Sequence, residues 1–226
     1  MKKIFIFIVF ILASCNKKEQ LEIELVTEKI NYLKVNKNEF LNYIPNNKVA
    51  IKEARTILVY KLINNTSKTY YFNLEGFNND FDNDIKVDRA FVRIEDQEGK
   101  NVNVKARSPS MGFESKYLYL DYLNYNYGHK MNSKNFIIHP DETLYFEWFI
   151  VLPFGNRLEE TNYSVDLDAN QKYFAELLMY SDGMNYKKQI SRTDLQTIQE
   201  NGYEVYNGVI KSKNKVPIVF NEVLNK

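Results

Sequence analysis

Leu144, Phe146, Trp148, Ile150 and Leu152 alternate with Tyr145, Glu147, Phe149 and Val151, with Pro140 before the run and Pro153 after it. A helix turns every 3.6 residues and would scatter this apolar row. An extended strand sends successive side chains to opposite sides and keeps the row on one face. The same period recurs along the chain. Leu21, Ile23 and Leu25 alternate with Glu22 and Glu24, and Ala90, Val92 and Ile94 alternate with Arg89, Arg93 and Glu95. Arg55 to Ile63 is rich in β-branched and aromatic residues, breaks at Asn64-Asn65-Thr66-Ser67, and resumes at Tyr70, Phe72 and Leu74. Asp96 to Gly99 reads as a turn into Val102 and Val104. Tyr173 to Tyr180 is apolar and turns at Ser181-Asp182-Gly183 into a further strand over Met184 to Ile190. Tyr203 to Ile210 and Val216 to Phe220 complete about nine to eleven strands punctuated by turn formers. Two stretches depart from the pattern. Asn38 to Ile44 reads as a short helix or an irregular link, and Ser191 to Glu200 as a short helix, with Ser191 and Asp194 at its start and Gly202 beyond its end.

Long helices do not alternate with these strands, which argues against a parallel α/β sheet. The expectation is an all-β fold, an immunoglobulin-like antiparallel β-sandwich with at most one or two short helices. No Pro/Gly/Ser-rich linker divides residues 21–226, so they read as one domain. A chain of 226 residues buries enough surface to need no staples. Its single cysteine excludes an internal disulfide and any multi-cysteine metal site. Thirty basic against 29 acidic residues leave no basic field for nucleic acid.

The N-terminus has its own layout. Lys2 and Lys3 precede an unbroken apolar run, Ile4 to Leu12, too short to span a bilayer as a helix. That is the arrangement of a secretory signal peptide. It ends in Leu12-Ala13-Ser14-Cys15, which resembles the lipobox of bacterial lipoproteins. The resemblance covers residues 1–15. It implies a cleaved signal over 1–14, a lipidated Cys15, and a short polar tether through residue 20. Acyl chains at one cysteine would hold the protein to a membrane. Asn rather than Asp at position 16 implies, by the same resemblance, the outer membrane of a Gram-negative cell. The abundance of Asn, Lys, Ile and Tyr is similar to protein usage in Bacteroidota.

Candidate contacts are few. Tyr117, Tyr119, Asp121, Tyr125 and Tyr127 share one face if that segment is extended, displaying phenols and a carboxylate suited to a glycan or protein surface. Asp80, Asp82 and Asp84 alternate as oxygen ligands do at the start of calcium loops. An EF-hand is excluded, because Ile85 and Phe91 stand where Gly and Glu are required. Catalytic types are sparse. His129 and His139 read as loop and turn residues, and Glu159 and Glu160, as neighbours, would point to opposite sides of a strand. Lys211 to Lys215 reads as a solubilising turn, and Trp148 as core. The function expected is a lipid-anchored envelope protein that binds a glycan or a protein without catalysis and without cofactor, calcium excepted. An inhibitor or immunity lipoprotein and a carboxylate-dependent hydrolase are the alternatives.

Overall fold

The structure, a computed structural model, describes residues 20–34, 55–75, 81, 83–107, 134–153 and 162–222. The segment Tyr117 to Tyr127, Asp80, Asp82, Cys15, His129 and the possible helix at Asn38 lie outside the described residues. The described chain is all-β and sandwich-like, with two short helices.

The first sheet has three strands in the order β1 (Leu21–Leu25), β3 (Arg55–Asn64) and β9 (Thr143–Val151), both pairings antiparallel. The second runs β2 (Ile30–Lys34), β14 (Val216–Glu222), β11 (Tyr173–Ser181), β6 (Phe91–Asp96) and β5 (Ile85–Lys86). Strand β13 (Gly208–Lys211) also pairs with β11. Two smaller sheets complete the set. One orders β12 (Glu204–Val205), β4 (Tyr70–Phe72) and β8 (Phe136–Ile138); the other pairs β10 (Asn162–Ser164) with β7 (Lys105–Arg107).

The alternation seen in the sequence is the alternation that buries. On β3, Leu58, Tyr60 and Leu62 face inward, while Arg55 and Ile57 face outward. One core cluster takes Ile23, Leu25, Leu58 and Ile150 from the first sheet and Val92, Ile94, Leu177 and Ile218 from the second. Two pairings are parallel, β14 with β2 and β12 with β4, so the ladders are not purely antiparallel. Parallel neighbours require a crossover rather than a tight hairpin. Here most of the chain serves as that crossover, and no local pattern betrays it.

The two large sheets are joined along both flanks. On one side Tyr32 bridges Leu152, and the amide of Leu33 donates to the carbonyl of Leu152 at 3.0 Å. On the other, Ile23 bridges Ser212, and the amide of Lys213 donates to the carbonyl of Ile23 at 2.8 Å. The Asn214 side chain extends that seam. Its Oδ1 accepts from the Leu25 amide and its Nδ2 donates to the Leu25 carbonyl, both at 2.9 Å. The strands therefore follow one another in a ring, β1-β3-β9-β2-β14-β11-β13 and back to β1.

The polar break at Asn64 is a corner. Beyond it β3 continues as β4, and its partner β9 is preceded by β8, so the antiparallel pair turns from one sheet into another. Asn64 is fully buried and fills the corner. Its Nδ2 donates to the carbonyls of Lys68 at 2.7 Å and His139 at 3.0 Å, and its Oδ1 accepts from the Thr66 amide at 3.0 Å.

The segment after β11 differs from expectation. Met184 to Ile190 holds no strand but a short helix, α1 (Tyr186–Gln189). The cause is Asp182, whose Oδ1 accepts from the amides of Met184 and Asn185, both at 3.0 Å, and so winds the chain. The second helix, α2 (Arg192–Asn201), lies where the capping residues placed it. Ser191 Oγ accepts from the Asp194 amide at 3.1 Å, and Gly202 closes the far end with φ 65°. Tyr203 to Ile210 forms two strands, β12 and β13, because Gly208 takes φ 132°, which other residues rarely adopt.

Candidate functional site

The pairing of β4 with β8 and the run of β9 gather aromatic rings on one side. Phe72 and Phe136 stack at 4.7 Å, Phe136 meets Phe146 at 5.3 Å, and Tyr60 stacks on Phe146 at 5.2 Å. Two cations lie against this row. The Arg89 guanidinium sits 5.5 Å from the Phe136 ring and 5.4 Å from the Phe146 ring. Lys134 Nζ sits 5.9 Å from the Trp148 ring. Such placement lets the alkyl stems cover apolar surface and keeps the heads over the negative ring faces.

One carboxylate serves both cations. Asp88 is 3.3 Å from Arg89 Nε and 3.4 Å from Lys134 Nζ, and Lys134 Nζ also donates to the Asp88 carbonyl at 3.1 Å. The three side chains are 28%, 23% and 27% exposed for Arg89, Asp88 and Lys134, so this ledge meets solvent. Its formal charge is positive by one. Of the four buried side-chain polar atoms without a hydrogen-bond partner among the described residues, three lie beneath it, closed off from solvent: Tyr60 OH, Arg89 Nε and Trp148 Nε1. The Arg89–Asp88 contact is close enough for ion pairing but is not aligned as a hydrogen bond. Burial, and then the nearby Asp88 charge, push the Tyr60 phenol far above its ordinary range, so it stays protonated. A surface of half-buried rings and excess positive charge suits a ligand with acceptor oxygens.

Other residues singled out in the sequence fall elsewhere. Asp84 is buried, and its carboxylate takes a two-pronged bond from Arg93, Nε at 3.0 Å and NH2 at 2.8 Å. That bond holds the Arg93 guanidinium above its usual range, with Glu176 and Glu95 adding to the effect. An arginine thus occupies the oxygens that a calcium ion would need from Asp84. No group of three or more His, Cys, Asp or Glu side chains able to hold a metal occurs among the described residues. His139 is a turn residue next to Pro140, 3.3 Å by Nδ1 from Thr69 Oγ1. No carboxylate orients its ring in the described contacts, and activating a hydroxyl needs that third group. In the Lys211 to Lys215 loop, Lys213 pairs with Glu22 and Lys215 with Glu95. Trp148 faces the core side of β9 but is only partly buried. Arg89 and Lys134 were not picked out by sequence, since each is a lone cation at a strand boundary. The row Phe146 and Trp148 was visible, but as core.

No family model matches this chain, and none of the curated proteins compared with it matches. No helix among the described residues is long and apolar enough to cross a membrane.

Proposed function

We propose that this chain is a lipid-anchored protein of the cell envelope that binds a glycan or a protein partner and does not transform it. The observation that carries the reading is the ledge, where Arg89 and Lys134 share one carboxylate over the rings of Phe136, Phe146 and Trp148. The strand ring beneath it supplies a rigid scaffold, the usual platform for contacts made by loops and strand ends. The lipobox-like Leu12 to Cys15 supports the anchor. The tyrosine stripe from Tyr117 to Tyr127 remains part of the proposal as a second contact surface.

Two experiments test it. The purified full chain is screened on immobilised glycans and envelope proteins, beside Arg89→Gln and Lys134→Gln. Both variants keep the fold and lose about tenfold or more in affinity for the ligand, as expected when a charged hydrogen bond is lost. Equal affinity in all three proteins would sink the ledge. Labelled palmitate enters the wild type and not Cys15→Ser; equal labelling would sink the anchor.

A further inference from the structure

The ledge, taken as the contact surface proposed above, also indicates the chemistry of what it holds. Asp88 and Arg89 form the tip of the short turn between β5 and β6. The amide of Val87 donates to the carbonyl of Ala90 at 2.9 Å, and both of those residues are buried. The backbone is pinned on either side of the tip, so its two charged side chains are set in place before any ligand arrives.

Arg89 is held by rings rather than by acceptors. Its guanidinium lies 5.5 Å from the Phe136 ring and 5.4 Å from the Phe146 ring. Each ring is backed by another, Phe136 by Phe72 at 4.7 Å and Phe146 by Tyr60 at 5.2 Å. A guanidinium over rings keeps its hydrogen bonds for its own plane. Nε is enclosed, with Asp88 3.3 Å away but not aligned to accept. The two terminal nitrogens make no hydrogen bond among the described residues and are not among the enclosed atoms, so they open to solvent. Two charged donors side by side in one plane match the two oxygens of a carboxylate. Lys134 stands 3.4 Å from the same Asp88 and adds positive charge on its other side. A phosphate monoester, with nearly two negative charges, would be repelled by Asp88 about twice as strongly as a carboxylate.

A protein partner is ordinarily anchored by a side chain in an apolar pocket. Here the rings are engaged with one another and with the two cations, so the ledge offers charge and in-plane donors instead. A sugar acid presents hydroxyls and a carboxylate, and charged donors are what it requires. We infer, resting on that reading of the ledge, that Arg89 binds the carboxylate of an acidic glycan, with its two terminal nitrogens as the fork, and that Asp88 opposes the bound anion.

Trp148, the single tryptophan of the chain, lies 5.9 Å from Lys134 Nζ and reports on the ledge by its fluorescence. The full chain is titrated, by fluorescence and by calorimetry, with oligogalacturonate, hyaluronate fragments and a sialylated oligosaccharide, each beside its carboxyl-reduced form, and with polyglutamate. At least one carboxylated glycan binds and its reduced form does not. Arg89→Gln weakens that binding about tenfold or more, and Arg89→Lys, which keeps the charge and loses the fork, weakens it less. Asp88→Asn tightens it about threefold, because a like charge beside the ligand is gone; a purely structural Asp88 would give no gain. Unchanged melting temperatures verify that the variants fold. No binding of any carboxylated glycan, binding that survives carboxyl reduction, a preference for polyglutamate, or weaker binding by a folded Asp88→Asn would each overturn the inference and leave the ledge as a contact surface for another ligand. A ligand held equally by wild type and Arg89→Gln would remove the ledge itself, and the inference with it.

Discussion

Asp182 is buried and surrounded by neutral donors. Met184 and Asn185 give backbone amides, and Gln189 Nε2 donates to Oδ2 at 3.0 Å. Burial alone would raise its pKa, but these hydrogen bonds outweigh burial and hold it below the ordinary carboxylate value. A carboxylate depressed in the fold adds stability above its unfolded pKa, and the gain is lost as pH falls through the folded value. Chemical denaturation from pH 6 down to 3 will show wild-type stability falling in the acid range, while Asp182→Asn, already weaker at pH 6 by about 1–3 kcal/mol, falls less. Parallel curves would refute the assignment. Its neighbour Gly183 is constrained by space. A Cβ there would lie 2.7 Å from Asn207 Cβ and 2.9 Å from the Tyr206 carbonyl oxygen. Gly183→Ala is therefore expected to cost about 1–3 kcal/mol, read as a lower urea midpoint. Gly99, with open space around its would-be Cβ, shows no such crowding.

Elements begin and end where single side chains close them. Ser191→Ala removes the cap of α2 and should lower stability by about 1 kcal/mol. Because α2 lies on the surface with Ile198 as its buried anchor, the loss should appear first as faster amide exchange in residues 192–195. The Asn64 corner is more demanding. Asn64→Ala removes the Nδ2 donations to Lys68 and His139 and the Oδ1 acceptor of the Thr66 amide from a fully buried corner, an expected cost of about 2–4 kcal/mol by thermal or urea unfolding. Much of this was legible beforehand, for physical reasons. Strands with one wet face must alternate, and the caps of α2 and the turn at Asp182 use residues with specific hydrogen bonds. What was not legible depends on partners distant in sequence. The cluster Asn64-Asn65-Thr66-Ser67 announced a break but not that Asn64 would be buried at a corner. Asp182 announced a turn but not the helix α1, which needed Gln189 to reach back to it. The ledge needed Arg89 and Lys134, 45 positions apart, to meet at Asp88.

At the scale of the molecule, the fold class follows from period and punctuation, while the order of strands does not. The closing of the ring rests on few contacts. On the β1 side it depends on the Ile23–Ser212 bridge and the two Asn214 bonds to Leu25. Asn214→Ala removes that pair of side-chain bonds at the cost of about 1–2 kcal/mol. Hydrogen exchange should show β1 opening before β11, which is buried along most of its length and flanked by β6, β13 and β14. Simultaneous loss of protection in both strands would mean that the seam is not a separable unit.

Leu21 pairs with Asn64, so the chain enters its fold at the corner end of β3. Were Cys15 to carry the lipid proposed for it, the six steps from it to Leu21 would reach at most about 20 Å. The Asn64 corner would then be moored within that distance of the membrane, and Arg55, nine residues along β3, would stand at most about 30 Å beyond it.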